Sequence, residues 1–239
     1  SILNLGLFLE KHGSPHSVSS GPSVRYQLIV ENTQCASISS GVANDVDLRD
    51  ILDSHHELFE NTRGCGPKTR RGVRICGDFK VTVNSYLSID PYVLSTFEDI
   101  SAKIAGGVQY SIIDLREAYL QLQVEQESRK FLVVSTHIGL YRYTRLSFGI
   151  CSAPVIFLSY MDQLLHDIPM TTVYLDDIII SGGSRTDNLQ NLKSVFVRLR
   201  EAGILVKSKK CGFLQDQVDF LSNTFHNDTI KPSKKSKQL

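Results

Sequence analysis

Apolar residues recur at helical spacing in several stretches of the chain. The predicted helices cover about 47–60, 95–105, 154–168 and 189–202. In the second of them, Ser95 and Glu98 have capping-box spacing, and Gly106-Gly107 follows its end. Gly203 is expected to end the last helix.

Other apolar residues run together or alternate with polar ones, as they do in strands. The strand-like run YQLIV is treated as part of a linker, and the predicted strands are VQYSIID, LQLQV, KFLVVST, LYRYTRL, TTVYL and IIISG. The last two are expected to form a hairpin whose two-residue turn is Asp176-Asp177. Short strand and helix patterns alternate after residue 72, which predicts an α+β domain, whereas the Ser-, Gly- and Pro-rich stretch before residue 35 is predicted to be linker.

Composition places the chain among ordinary globular proteins. It has 239 residues, of which 41% are hydrophobic and 21% charged, and its formal net charge is +1. That length allows one large or two small domains, and the charge balance alone identifies no partner. No window approaches the ~18 uninterrupted apolar residues of a membrane helix, so we expect no membrane association. The 5 cysteines include no C-x-x-C pair, which favours reduced thiols and an intracellular location.

Charge is distributed unevenly along the chain. Acidic side chains are in excess before residue 67 and basic ones after residue 197. The basic end contains several lysines close together: Lys207, Lys209, Lys210, Lys231, Lys234, Lys235 and Lys237. Such a cluster suits a polyanion, and it is equally typical of a solvated face followed by a frayed tail.

Adjacent carboxylates, Asp176 and Asp177, stand between the apolar runs VYL and III. Held against apolar strands, they repel each other and lose hydration, so a countercharge is expected beside them. The alternative is a hairpin tip that faces water. A further carboxylate, Asp114, ends the apolar run SIID, and its own alternative role is to cap a helical turn together with Glu117.

Taken together, these aspartates at the ends of buried strands form a candidate metal site. No His or Cys lies next to them in the sequence, so the ligands would all be oxygen atoms, which suits Mg²⁺ or Mn²⁺ rather than zinc. Two such cations about 4 Å apart can activate a 3′-hydroxyl nucleophile and neutralise a pyrophosphate leaving group. The pattern therefore favours phosphate chemistry.

Sequence blocks follow one another from roughly Gly72 to Ser233: VRICGDFKVTVN, SIIDLREAYLQLQV, SRKFLVVSTHIGLYRYTRLSFGICSAPVIF, VYLDDIIISG and GILVKSKKCGFLQDQVDFLSN. In order and spacing they resemble the reverse transcriptases of gypsy-type LTR retrotransposons. The resemblance implies a right-hand polymerase fold of the α+β class. A palm sheet would carry the aspartates, the fingers would be partial, and the thumb and N-terminal fingers would be largely missing.

The resemblance implies roles for the acidic cluster. Asp114 and Asp176 would be the principal metal ligands, with Asp177 beside them in a Y-x-D-D turn and Tyr174 near the primer end. The implied cofactors are two Mg²⁺ ions, or Mn²⁺ in their place.

It also implies roles for residues outside that cluster. Tyr119 would be the steric gate that excludes a 2′-hydroxyl, and Arg74 would contact the incoming triphosphate. Phe148-Gly149 would lie against the nascent base pair and template, where Gly149 permits close approach. Lys210, with Lys209 as the alternative, would protonate the departing pyrophosphate.

The implied reaction is RNA-directed DNA synthesis on an RNA template, with a DNA primer or RNA–DNA duplex and dNTPs as partners. An intact element would add protease, RNase H and integrase parts of a Pol polyprotein and would act in the cytoplasm or a virus-like particle. We expect a linker region at 1–66, reverse transcriptase fingers and palm at 67–225, and a basic tail at 226–239.

The alternative hypothesis is a catalytically silent remnant that only folds or binds nucleic acid. HELFENTRGC runs almost directly into KTRRGVRICGD, so several dozen residues of the N-terminal fingers are expected to be absent, and the thumb would begin near Leu239. A metal-dependent nuclease is disfavoured, because Tyr119 and Arg74 would have no purpose in one.

Overall fold

The structure is a computed structural model that describes residues 10–11, 27–30, 45–59, 73–87, 95–136, 139–226 and 229–232. The α-helices in these residues are α1 (Val46–Ser54), α2 (Phe97–Ile104), α3 (Ala153–Leu165) and α4 (Arg185–Ala202). The strands are β1 (Glu10–Lys11), β2 (Gln27–Val30), β3 (Val73–Cys76), β4 (Gln109–Asp114), β5 (Val133–Thr136), β6 (Gly139–Arg142), β7 (Thr171–Tyr174), β8 (Asp177–Gly182), β9 (Gly212–Gln215), β10 (Gln217–Phe220), β11 (Asn223–His226) and β12 (Thr229–Pro232). None of the described helices combines the length and apolar character needed to span a bilayer.

The chain divides into two compact units, each assembled from separated stretches of sequence. The first unit comprises Ser1–Gln34, Asn61–Tyr92 and Glu117–Phe157, and the second comprises Cys35–Glu60, Val93–Arg116 and Leu158–Leu239. The mixture of helices and strands confirms the predicted α+β class. The division into 1–66, 67–225 and 226–239 follows sequence order and stays a prediction. β12 of the last range pairs with β11, most of which lies in the second range.

An antiparallel sheet in the order β7-β8-β4-β9 lies at the centre of the second unit. Its register pairs Gln109 of β4 with Gly182 of β8 at one end and Asp114 with Asp177 at the other. The isoleucines of both strands lie between these ends, and those of β8 are fully buried. Burial of such apolar runs specifies the register strongly, because a slip of one residue would move every side chain to the opposite face.

The two faces of this sheet have different surroundings. Side chains alternate along a strand, so Tyr110, Ile112 and Asp114 share one face of β4, while Ser111 and Ile113 share the other. On the first face lies a buried apolar cluster that consists of Ile100, Ile104, Tyr110, Ile179, Val218, Phe220 and Phe225. The Asp114 carboxylate therefore projects from the same face of β4 as this cluster.

Buried polar groups hold α4 against the other face. Ser111 Oγ donates to Asn188 Oδ1 at 3.1 Å, and Asn188 Nδ2 donates to the carbonyl of Gln109 at 2.7 Å. Asn191 Nδ2 donates to the carbonyl of Ser181 at 2.8 Å. These directional bonds fix where the helix lies along β4 and β8, which apolar contact alone does not do.

The segment that precedes the sheet in sequence also packs on α4. α1 continues into a 3₁₀ turn (His56–Leu58), and Leu48 and Leu58 are each only 2% exposed. The buried His55 ring lies 5.6 Å from the ring of Phe196 in α4. The helix predicted at about 47–60 is thus α1 followed by a 3₁₀ turn, and it belongs to the second unit.

Two helix boundaries test the end signals read from the sequence. α2 begins with a capping box between Thr96 and Asp99, so the pair Ser95 and Glu98 was wrong by one residue. Thr96 and Asp99 satisfy the same spacing rule, and the sequence alone gives no reason to prefer one pair. α4 ends at Gly203, whose φ of 68° is left-handed, as predicted.

One strand prediction and one turn prediction were wrong. LQLQV does not form a strand, because its first residues belong to a 3₁₀ helix (Ala118–Gln121) and only Gln123 makes an isolated bridge, to Arg145. The hairpin turn is not Asp176-Asp177, since Asp177 is the first residue of β8 and pairs with Tyr174. The turn residues are Leu175 and Asp176.

Replacement of Asn188 by Ala is expected to destabilise the chain by about 1–3 kcal/mol, because the buried Ser111 hydroxyl loses its acceptor. Urea denaturation followed by circular dichroism measures this change. Gln190→Ala, at an exposed position of the same helix, is the matched control and should change stability by less than about 0.5 kcal/mol. Equal effects of the two substitutions would contradict the role given to the polar bonds.

Candidate active site

Asp114 and Asp177 face each other across neighbouring strands. They are the terminal pair of the β4–β8 ladder, and the backbone N–H of Leu115 donates to the carbonyl of Asp176 at 2.8 Å. Side chains of directly opposed residues lie on one face with Cβ atoms about 4.5–5.5 Å apart. The structure therefore brings the carboxylates of Asp114 and Asp177 together, with Asp176 next in the chain, as the sequence predicted.

The turn that carries these residues has an unusual backbone. Leu175 has a φ of 52°, in the left-handed region that non-glycine residues seldom adopt, and the residue is 41% exposed. Positive φ at the first central residue gives a tight hairpin turn. As a result, Asp176 lies at the exposed tip while Asp177 is half-buried at the start of β8. The alternative in which both carboxylates simply face water does not hold for Asp177.

Burial and the negative charge of the cluster both shift the pKa of Asp177. The pKa of Asp177 is raised to about 6, first by burial and then by the charges of Asp114 and Asp176, while the charge of Lys210 acts in the opposite direction. Carboxylates that crowd together in a partly buried place resist ionisation in this way. The cluster therefore carries more negative charge than its surroundings neutralise.

Lys210 is the countercharge that the sequence argument required. Its Nζ lies 3.3 Å from Asp114 Oδ2, and the Asp114 side chain is only 13% exposed. Asp114 is not a helix cap: the next 3₁₀ helix begins after Glu117, whose φ of 47° is left-handed and which makes no side-chain capping bond. Of the two lysines considered from the sequence, Lys210 is the one that forms this ion pair with Asp114.

Backbone hydrogen bonds place Lys210 at the carboxylates. The N–H of Lys207 donates to the carbonyl of Asp114 at 2.8 Å, and the N–H of Lys210 donates to that of Lys207 at 3.0 Å. Val206 forms an isolated bridge with Leu115, and its N–H donates to the carbonyl of Leu58 at 2.9 Å. The lysine-rich segment is therefore attached both to the end of β4 and to the turn after α1. This contact of Leu58 was not predicted, and no sequence signal pointed to it.

The donor set fits a hard divalent cation. Cys211 follows Lys210, but the pKa of its thiol is raised to about 12, chiefly by burial and with smaller contributions from the charges of Asp114 and Asp177. A protonated thiol is a poor metal ligand, so carboxylate oxygens are the ligands available, which suits Mg²⁺ or Mn²⁺. In the described ranges, no three His, Cys, Asp or Glu side chains are already arranged around a common metal position. The ion pair with Lys210 occupies Asp114 instead.

Other predicted site residues lie in the first unit. The Tyr119 ring is half-buried, 5.1 Å from the ring of Phe148 and 5.7 Å from that of Phe157. Gly149 has a φ of 97°, and a Cβ atom there would overlap the carbonyl oxygen of Gly77. The fold itself therefore requires glycine at this position, whatever binds beside it.

Asn84 is a residue that sequence reasoning missed. Its Nδ2 donates to the carbonyl of Gly149 at 2.8 Å, and its Oδ1 accepts from the N–H of Cys151 at 3.0 Å. The side chain thus fixes the loop that carries Phe148-Gly149. It stands 65 residues away in the sequence, and nothing in the KVTVN block signals this pairing.

Two further predicted residues are placed only in part. Arg74 lies in β3 opposite Ile29 of β2, and its side chain is outside what the structure describes. Tyr174 ends β7, is half-buried, and makes an edge contact with Phe220 at 6.4 Å between ring centroids. That contact joins Tyr174 to the apolar cluster of the second unit. The roles given to both residues stay predictions.

Asp177→Asn is expected to stabilise the metal-free chain at pH 7.5 by about 1–2 kcal/mol, after allowance for solvent screening. The raised pKa means that the folded chain binds the proton more tightly than the unfolded chain. Stability contributed by protonated Asp177 is therefore lost as the pH rises from about 4 through about 6, and the advantage of the variant should disappear near pH 4.

Urea denaturation at pH 4 and pH 7.5 measures this difference. Asp50→Asn, at an exposed position of α1, removes the same charge and should show no such pH dependence. An equal gain from Asp177→Asn at both pH values would show that the repulsion assigned to the cluster is absent.

Comparison with known proteins identifies the family. A family profile described as "Reverse transcriptase (RNA-dependent DNA polymerase)" matches residues 67–225, which include both strands that carry the aspartates. The uncharacterized protein K02A2.6 of Caenorhabditis elegans is 38% identical over 168 residues, which are 70% of this chain and 13% of that protein. The retrovirus-related Pol polyprotein from transposon 297 of Drosophila melanogaster is 32% identical over 162 residues, or 67% of this chain and 15% of that protein.

A solved structure shares the fold. The foamy viral protease-reverse transcriptase in complex with an RNA/DNA hybrid matches with a TM-score of 0.63 and 26% identity, over 72% of this chain and 23% of that one. This likeness confirms a partial reverse transcriptase polymerase fold. The chain spans less than a sixth of the length of the curated relatives named above. On the strength of the matched residues, the chain belongs to the reverse transcriptase (RNA-dependent DNA polymerase) family.

Proposed function

We propose that this chain is the polymerase domain of a retrotransposon Pol polyprotein and that it extends a DNA primer with dNTPs on an RNA template. The observation that carries the proposal is the strand register that sets Asp114 opposite Asp177, with Asp176 in the turn between β7 and β8. Family membership supports the same reaction. The assignment to the gypsy group rests on the sequence blocks alone.

In this proposal Asp114 and Asp176 hold two divalent cations, with Asp177 supplying further negative charge beside them. Mg²⁺ is the expected ion, and Mn²⁺ is the alternative. When bound, the pair of ions supplies activation of the primer 3′-hydroxyl and neutralisation of the pyrophosphate leaving group. The oxygen-only donor set and the uncompensated charge of the cluster support this choice of ions.

Residues outside the cluster would position the substrates. Tyr119 would exclude a 2′-hydroxyl, and its contacts with Phe148 and Phe157 support a ring held in one place. Arg74 would bind the triphosphate, and Tyr174 would lie near the primer end. Further roles belong to Phe148-Gly149 at the nascent base pair and to Lys210, whose ammonium would protonate the departing pyrophosphate.

The proposed partners are an RNA template, a DNA primer or RNA–DNA duplex, and dNTPs. The foamy viral relative was solved with an RNA/DNA hybrid, which supports a duplex of that kind as the ligand here. In an intact element, protease, RNase H and integrase parts would accompany this domain in the cytoplasm or a virus-like particle. The relative from transposon 297 is a Pol polyprotein, which supports a place within a polyprotein for this domain.

Primer extension on an RNA template with Mg²⁺ tests the activity. Asp114→Asn and Asp176→Asn are each expected to reduce incorporation by at least about 10²-fold, because each removes a charged ligand of the cations. Asp50→Asn, with the same charge change away from the cluster, should retain wild-type activity. Salt-dependent binding of the RNA–DNA duplex without any incorporation by the wild-type chain would favour the silent-remnant alternative instead.

Tyr119→Ala is expected to lower the preference for dNTPs over rNTPs by at least about tenfold, because the ring that would meet the 2′-hydroxyl is gone. Tyr119→Phe keeps the ring and its contacts, so it should retain the preference. Single-nucleotide incorporation kinetics with dCTP and CTP measure the ratio of kcat/KM values. Unchanged discrimination in Tyr119→Ala would remove the steric-gate assignment.

A further inference from the structure

We propose that Lys210 is the resident counterion of the metal-free site, and that a divalent cation must displace its ammonium from Asp114 in order to bind. The inference rests on the proposed function, because it takes Asp114 to be a metal ligand. It goes beyond that function because it states that the cation can bind Asp114 only when the Lys210 ammonium leaves it.

The ion pair has one fixed partner and one mobile partner. Asp114 ends a strand paired on both sides, and its side chain is 13% exposed. The Lys210 side chain is 59% exposed, and its Nζ lies 3.3 Å from Asp114 Oδ2. A lysine has a flexible four-carbon stem, so the ammonium can leave while the carboxylate stays in place.

The backbone that carries Lys210 does not need to move during the exchange. Lys207 N–H remains bonded to the carbonyl of Asp114, and Lys210 N–H to that of Lys207. These bonds involve main-chain atoms only, so rotation about the side-chain bonds of Lys210 leaves them intact. Release of the ammonium therefore leaves the backbone of the segment in place.

The ammonium and a metal cation exclude each other at Asp114. The ammonium lies beside Asp114 Oδ2, and two positive charges a few ångströms apart repel strongly where water is partly excluded. Asp177 is the cross-strand partner of Asp114, so the ammonium lies beside a pair of opposed carboxylates. A chain with Lys210 in place therefore presents a site that is already partly neutralised, and this weakens the apparent affinity for the metal.

The experiment measures Mn²⁺ binding to the full chain without nucleic acid, by loss of the free Mn²⁺ signal in electron paramagnetic resonance. Lys210→Gln is expected to bind Mn²⁺ about fivefold more tightly. In this variant Asp114 has no ammonium partner that the cation must first displace, and an ion pair of this kind is worth up to about 1 kcal/mol. Lys210→Arg should bind no more tightly than wild type, since a guanidinium holds a carboxylate at least as well. Lys193→Gln, at an exposed position of α4, controls for the change in net charge and should match wild type.

Thermal unfolding with and without Mn²⁺ gives a second readout. Lys210→Gln should unfold at a lower temperature than wild type without metal, because the carboxylates lose their countercharge, and it should gain more from added Mn²⁺. A merely structural ion pair would lower the unfolding temperature equally in both conditions and leave Mn²⁺ affinity unchanged. That result, or tighter Mn²⁺ binding by Lys210→Arg, would refute the proposal that the metal displaces the Lys210 ammonium.

Asp114→Asn separates this inference from the proposed function. If the wild type binds Mn²⁺ and Asp114→Asn does not, Asp114 is a metal ligand. The Lys210 variants then test whether the metal displaces the ammonium. If neither the wild type nor Lys210→Gln binds Mn²⁺, the metal site itself is wrong, and the inference falls together with it.

Discussion

The register between β4 and β8 is the constraint on which the site depends. Asp114 and Asp177 meet only because the two strands pair from Gln109 and Gly182 onward without a shift. A slip of one residue would turn one carboxylate toward the face covered by α4, where buried Asn188 and Ser111 fill the space. The buried isoleucines and the polar bonds to α4 therefore do more than stabilise the sheet. They determine whether the acidic residues share one face.

Bringing carboxylates together opposes folding, and the structure offsets that cost locally. Lys210 neutralises part of the charge, and the segment that carries it is bonded to the carbonyls of Asp114 and Leu58. The turn that supplies Leu58 is held on α4 by its neighbours, since the rings of His55 and Phe59 both pack against Phe196. Residues far upstream in the sequence thus contribute to the position of one ammonium group. The remaining negative charge is what makes the cluster suitable for cations.

Several predictions failed for reasons that can be identified. Thr96 and Asp99 form the capping box in place of Ser95 and Glu98, because both pairs satisfy the local rule and tertiary packing selects the helix start. LQLQV alternates like a strand, yet a 3₁₀ helix occupies its first residues. The hairpin turn lies at Leu175-Asp176 instead of Asp176-Asp177. There Leu175 adopts a left-handed φ that leucine does not favour on its own, so the residue types at this point do not signal the turn. Strand pairing therefore prevails over local preference in the turn.

The sequence by itself determined the class of fold, most of the helices and strands, the family, and the identity of the clustered aspartates. These follow from local periodicity and from ordered motifs, which need no knowledge of distant contacts. Only the tertiary structure decided that Lys210 is the countercharge, that Asp177 rather than Asp176 is half-buried, and that Asn84 holds the Gly149 loop. Each of these is a contact between residues far apart in sequence or depends on one, and it forms only when the folded backbone brings them together.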